Sequence, residues 1–144
     1  MEKISKTIII SLLFVIYFLV DRQQMHNIFL MHFHHANIFH LLANCWSVYL
    51  IRRADWIPAY LIAVLCSIPF ANTTIGFSGV IFAALGMLYG KYPSKLFWWA
   101  SAIVLVTGLL PNISALFHFI NLIAGFIVGY SYQMTKLYVN YRNR

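Results

Sequence analysis

The chain has 144 residues, of which 62% are hydrophobic and 9% charged, with a formal net charge of +7 and a mean hydropathy of +0.77. A soluble domain carries about 25% charged residues, and a globule this small lacks the interior to hide so much apolar side chain. Composition therefore excludes a soluble enzyme, a disulfide scaffold and a disordered tail. It points to a lipid bilayer as the surrounding medium. The basic residues stand in ones and twos between apolar runs rather than on one solvated face, which excludes a nucleic-acid binder.

Six apolar runs follow one another, at about residues 7–20, 36–51, 56–71, 77–90, 96–110 and 114–133. None alternates in the manner of a barrel strand, so the pattern predicts an all-α membrane protein, a single domain over 1–144 with six transmembrane helices. The first run follows Lys3 and Lys6 as a signal peptide would. Asp21-Arg22-Gln23-Gln24 then stands where a small-residue cleavage site belongs, so the run reads as a retained span. His26, His32, His34 and His35 crowd the segment before the second run. Residues 32, 34 and 35 share no helix face, and no Cys or acid joins them, so His26, His32 and His34 read as a wet interfacial stretch. Metal binding is the alternative. Cys45 and Cys66 fall inside runs and read as buried thiols. In the third run Pro58 sits in the first helical turn, where a missing N–H costs nothing. The fourth opens on Gly76-Phe77-Ser78-Gly79 and continues with small residues at Ala83, Gly86 and Gly90. In the fifth, Trp98-Trp99 suits lipid or an aromatic belt. His118 heads the sixth, with Gly125 and Gly129 below it on the same face.

The breaks between runs carry the topology. Lys3, Lys6, Arg52, Arg53, Lys91, Lys95, Lys136, Arg142 and Arg144 fall on one side of a six-span chain, and only Arg22 falls on the other. Basic residues collect on the cytoplasmic side, so both termini are predicted to lie in the cytoplasm.

Polar groups inside spans are costly and mark function. His40 and Asn44 lie one turn apart on one face of span two. At 1.5 Å per residue, His40 stands about 18 Å above Arg52, Ser78 about 20 Å above Lys91 and His118 about 21 Å above Tyr132, so the three share a depth. Small residues allow close approach of helices in lipid. If spans four and six meet through theirs, His118 approaches Ser78 as the base of a nucleophile–base dyad, beside a helix N-terminus that offers free N–H groups to an anion.

Together these motifs resemble those of the rhomboid intramembrane serine proteases. Gly76-Phe77-Ser78-Gly79 with Gly86 is similar to the family's GxSG motif and fourth-helix glycine. His35 through His40 to Asn44 is similar to the second-helix HxxxxHxxxN pattern, and His118 with Gly125 fits the sixth-helix HxxGxxxG pattern. The resemblance covers essentially the whole chain as a minimal bacterial-type core. It implies Ser78 as nucleophile, His118 as general base, and His40, Asn44 and the Ser78 N–H as oxyanion hole. Phe82 would stack beneath the histidine, and Gly76, Gly79, Gly86, Gly125 and His35 would support the site. Transmembrane proteins are the implied substrates, the bacterial inner membrane the implied location, and no metal or organic cofactor is called for. Two features depart from the pattern. Asn121 replaces the first glycine of the sixth-helix motif, which would crowd span four or add a hydrogen bond. No Trp-Arg pair follows span one.

Other readings stand beside this one. Singly, Ser78 reads as a helix cap, His118 as an interfacial histidine and Asn44 as an interhelical tie. An inactive relative that binds transmembrane segments would keep the fold. A haem or metal protein would use His40 and His118 as axial ligands, which leaves Gly76–Gly79 unexplained.

Overall fold

The computed structural model describes residues 2–19, 27–70, 76–92, 99, 101–102 and 114–143. The described residues form an all-α chain with no strand. Its helices are α1 (Glu2–Leu19), α2 (Ile38–Leu50), α3 (Trp56–Ser67), α4 (Ser78–Lys91) and α5 (Ala115–Arg142). Short 3-10 turns cover Met31–Phe33 and Ile68–Phe70. Most of the apolar run at 96–110 lies outside the described residues, as do Arg22 and Lys95.

Local chemistry explains the helix ends. Asn37 caps α2 from an extended backbone, its side-chain oxygen accepting the His40 N–H at 2.9 Å. Arg52-Arg53 closes the helix, and Arg53 takes a φ of 59°. Pro58 lies in the first turn of α3 and Pro69 in the 3-10 turn beyond its end, both places where no helical N–H is required. α5 runs on past residue 133 to Arg142, longer than the hydropathy suggests. No glycine or proline interrupts 130–142, so nothing in the backbone stops it there.

α4 is the central helix. Gly79, Val80, Ile81, Ala83, Ala84, Gly86, Met87 and Gly90 are all buried and occupy every side of it. A helix apolar all round is one surrounded by others. α5 packs along its length, α3 and α2 pack on other sides, and α1 lies against α2. Leu13, Leu41, Val48, Trp56, Ala59, Ala63, Phe77 and Val80 make a continuous core between α1 and α4. At the end of α4 away from Ser78, Lys91 pairs with Asp55 and lies 4.6 Å from the centre of the Tyr132 ring.

Outward, Phe18, Phe39, Trp46, Ile57, Leu65 and Ile127 are each more than half exposed. Among the described helices, α5 alone is long and apolar enough to cross a membrane. α2, α3 and α4 span only about 20, 18 and 21 Å, short of the ~30 Å hydrocarbon layer.

Candidate active site

Four glycines decide how α4 meets α5. A Cβ on Gly86 would collide with the Leu122 carbonyl oxygen, and one on Gly90 with that of Phe126. Reciprocally, a Cβ on Gly125 would strike the Ala83 carbonyl oxygen, and one on Gly129 that of Met87. Each helix thus offers bare Cα positions to the other's backbone, at a separation no side chain permits.

At the upper end of this contact the helices bring two side chains together. Ser78 is the first residue of α4, and its Oγ lies 2.8 Å from Nε2 of His118, in the first turn of α5. With the His118 proton on Nδ1, Nε2 accepts the Ser78 hydroxyl hydrogen. Phe82, one turn below Ser78, holds its ring 4.8 Å from the imidazole, tilted by 33°. The Ser78 N–H belongs to the first turn of α4 and has no partner within the helix, whose first bond runs from Ile81 N to Phe77 O. Asp55 sits at the other end of α4, so it adds no third member to the pair. Two acids remain in the chain, Glu2 and Asp21, and neither side chain is among those described.

Gly76 connects this pair to α2. Its φ is +113°, a conformation that only glycine adopts without strain. A Cβ on it would lie 2.7 Å from Cε1 of His40 and 3.6 Å from Nδ2 of Asn44, so the bare Cα is what allows those side chains in. Asn44 is buried, and its Nδ2 has no hydrogen-bond partner. An unmet buried donor costs about 1–3 kcal/mol, which asks for a functional reason. His35 lies edge-on to His40 with ring centres 5.1 Å apart, and its Nδ1 bonds the Phe33 carbonyl at 3.1 Å. Burial, helped by the nearby His40, pushes the His35 pKa down to about 4.

Gly79 carries the Phe117 ring, which a Cβ there would meet at 2.6 Å. Asn121 fits beneath, fully buried. Its Nδ2 donates to the Phe117 carbonyl at 2.8 Å within its own helix, and its Oδ1 has no partner. It neither forces α4 from α5 nor ties them with a hydrogen bond.

The segment before α2 differs from its reading as a wet stretch. His32 and His34 are buried, as is the neighbouring His35. The 3-10 turn tucks the His32 ring between Tyr60 and Phe117, with centres 5.9 and 6.3 Å away. These three histidines form no metal site: among the described residues, no group of three or more His, Cys, Asp or Glu could hold an ion. His26 lies outside the described residues. Only the density of histidines hinted that this segment was more than a linker.

Comparison with protein-family models, with curated proteins and with solved structures returns no match for this chain.

Proposed function

We propose that this chain is an intramembrane serine protease of the rhomboid type, which hydrolyses peptide bonds in or beside the transmembrane segments of other membrane proteins. The observation that carries the proposal is the 2.8 Å approach of Ser78 Oγ to His118 Nε2, at the end of a glycine-interlocked helix pair. A capping serine needs no imidazole, and an interfacial histidine needs no serine.

In this reading His118 removes the Ser78 proton as Oγ attacks the scissile carbonyl carbon. The tetrahedral oxyanion receives N–H groups from Ser78, Asn44 Nδ2 and the His40 ring. His118 gives its proton to the departing amine, and the C–N bond breaks. Water then attacks the acyl-serine with His118 again as base, returning the proton to Ser78 and releasing a carboxylic acid. The unmet Asn44 donor is paired only once the oxyanion forms, so its interaction favours the transition state over the resting enzyme.

The membrane part of the proposal is a six-span bundle in a bacterial inner membrane, with both termini in the cytoplasm. Support comes from the exposed apolar side chains and from the nine-to-one division of Lys and Arg. The shorter helices reach both interfaces by local thinning and by snorkelling of flanking Lys and Arg.

A fluorophosphonate probe tests the chemistry directly. The detergent-purified protein should label at Ser78 in the presence of EDTA. Labelling should vanish in Ser78→Ala and fall steeply in His118→Ala. A folded protein that neither labels nor cleaves a model transmembrane substrate would overturn the protease reading in favour of a binding protein. Label persisting in Ser78→Ala would mean another nucleophile.

A further inference from the structure

The backbone just ahead of Ser78 is held by a residue outside every motif described so far. The Gly76 N–H donates to the Met31 carbonyl at 3.1 Å. The His32 ring also lies within reach of the Gly76 backbone. The glycine's N–H being engaged, its carbonyl is the acceptor. His32 Nε2 has no partner, so Nδ1–H is the donor. Burial pushes the His32 pKa down to about 4, so near neutral pH the ring carries a single N–H, the one given to Gly76. The ring is 1% exposed and lies nearly parallel to Phe117, with 17° between the planes. Phe117 in turn covers Gly79 and immediately precedes His118. Residues 31–32 thus hold both backbone groups of Gly76, two residues before the nucleophile, and brace the ring next to the base.

We propose that His32 is a positioning residue: its Nδ1–H fixes the Gly76 carbonyl, and so orients the peptide units that carry the Ser78 N–H and Oγ towards His118. This rests on the reading of Ser78 as nucleophile. Gly76 is the most freely rotating residue in the chain segment leading to Ser78, and rotation there would swing both the oxyanion donor and the attacking oxygen. A displacement of ~1 Å is enough to cost about 10²-fold in rate.

The test compares substitutions that place a donor differently. In His32→Asn the amide nitrogen can occupy the Nδ1 position. In His32→Gln it reaches too far, and His32→Phe keeps the stack on Phe117 with no donor. Expected are near wild-type kcat and labelling rate in Asn, a fall of about tenfold or more in Gln and Phe, and an unchanged KM for a transmembrane substrate. Equal rates in Asn and Gln, with equal melting temperatures, would overturn the proposal, and this comparison stands even if Phe fails to fold. Hydrogen exchange of the 76–80 amides gives a readout independent of activity, and it should quicken in Gln but not in Asn. Were the wild type not to label at all while that exchange difference appeared, the protease reading would fall and the His32 bracket would stand. Exchange unchanged in Gln would remove the bracket.

Discussion

Where α4 meets α5, one backbone touches another, and the fit depends on side chains that are missing. Where residues 31–44 meet Gly76, the fit depends on polar groups that are present. The first region is steric: Gly86, Gly90, Gly125 and Gly129 leave no space for even a methyl group. The second is chemical: Asn37 caps α2, Met31 and His32 grip Gly76, and Asn44 keeps a donor unpaired. The difference teaches what each wall does. The glycine wall sets the distance between Ser78 and His118, and it fails abruptly when filled. On the proposed mechanism the polar wall sets the orientation of the oxyanion donors, and it fails by degrees as single hydrogen bonds are lost.

The largest effect that sharpens this contrast is at Asn44. Asn44→Leu keeps the volume and removes the unmet donor. Cleavage of a transmembrane substrate should fall about 10²–10³-fold. Thermal stability in detergent should hold or rise, because a buried polar group without a partner has gone. A variant that loses stability along with activity would make Asn44 an ordinary structural tie between helices.

Gly125→Leu comes next and acts through the other wall. The side chain would run into the Ala83 carbonyl, so α5 must move off α4. Activity should drop about 10²-fold from misplacement of His118, and stability should fall by about 1–3 kcal/mol. Wild-type labelling in this variant would show that the glycine interlock does not set the Ser78–His118 distance.

Acid should separate the two regions. Burial lowers the pKa of His32 and His35 to about 4, below the ordinary 6.5. Between those values the unfolded chain takes up protons that the folded one refuses. Stability is therefore full above about pH 7, declines as pH falls through 6.5, and levels off near 4, by about 3 kcal/mol for each ring. Denaturant melts at pH 7.5 and 4.5 measure it. In a His32→Asn, His35→Asn double variant the slope should flatten. An unchanged slope would place the acid sensitivity elsewhere than in the polar wall.

These two walls were not equally visible in the sequence. The bounds of α2, α3 and α4 follow from apolar runs ended by Arg52-Arg53, Pro69 and Lys91-Tyr92, signals that act locally along the chain. The meeting of Ser78 with His118 could be anticipated because small residues recur at helical spacing on two runs, and helical faces are periodic. The grip of His32 on Gly76 has no such period. It joins a ring in a 3-10 turn to a backbone carbonyl far along the chain, and no periodic spacing of residue types marks that contact. The length of α5 was hidden for a different reason. Falling hydropathy after residue 133 marks where apolar composition ends, whereas Met134, Lys136, Leu137 and Arg142 keep a helix going in water as readily as in lipid.

The smallest effect tests whether the glycine wall stands alone. Asp55→Asn removes the partner of Lys91, at the end of α4 remote from Ser78, about 20 Å along the helix. The Asp55 side chain is 48% exposed, and ion pairs of that kind contribute about 0–1 kcal/mol. Lys91 keeps its place beside the Tyr132 ring, so α4 and α5 retain a contact at that end. Melting should shift little, and the labelling rate at Ser78 should match the wild type within a factor of two or so. Backbone packing over Gly86, Gly90, Gly125 and Gly129 lies between the ion pair and the Ser78–His118 contact, and the loss of one exposed charge cannot move it. A tenfold loss of labelling in Asp55→Asn would mean that the helix pair is aligned from its basic end and that the glycines merely tolerate the approach.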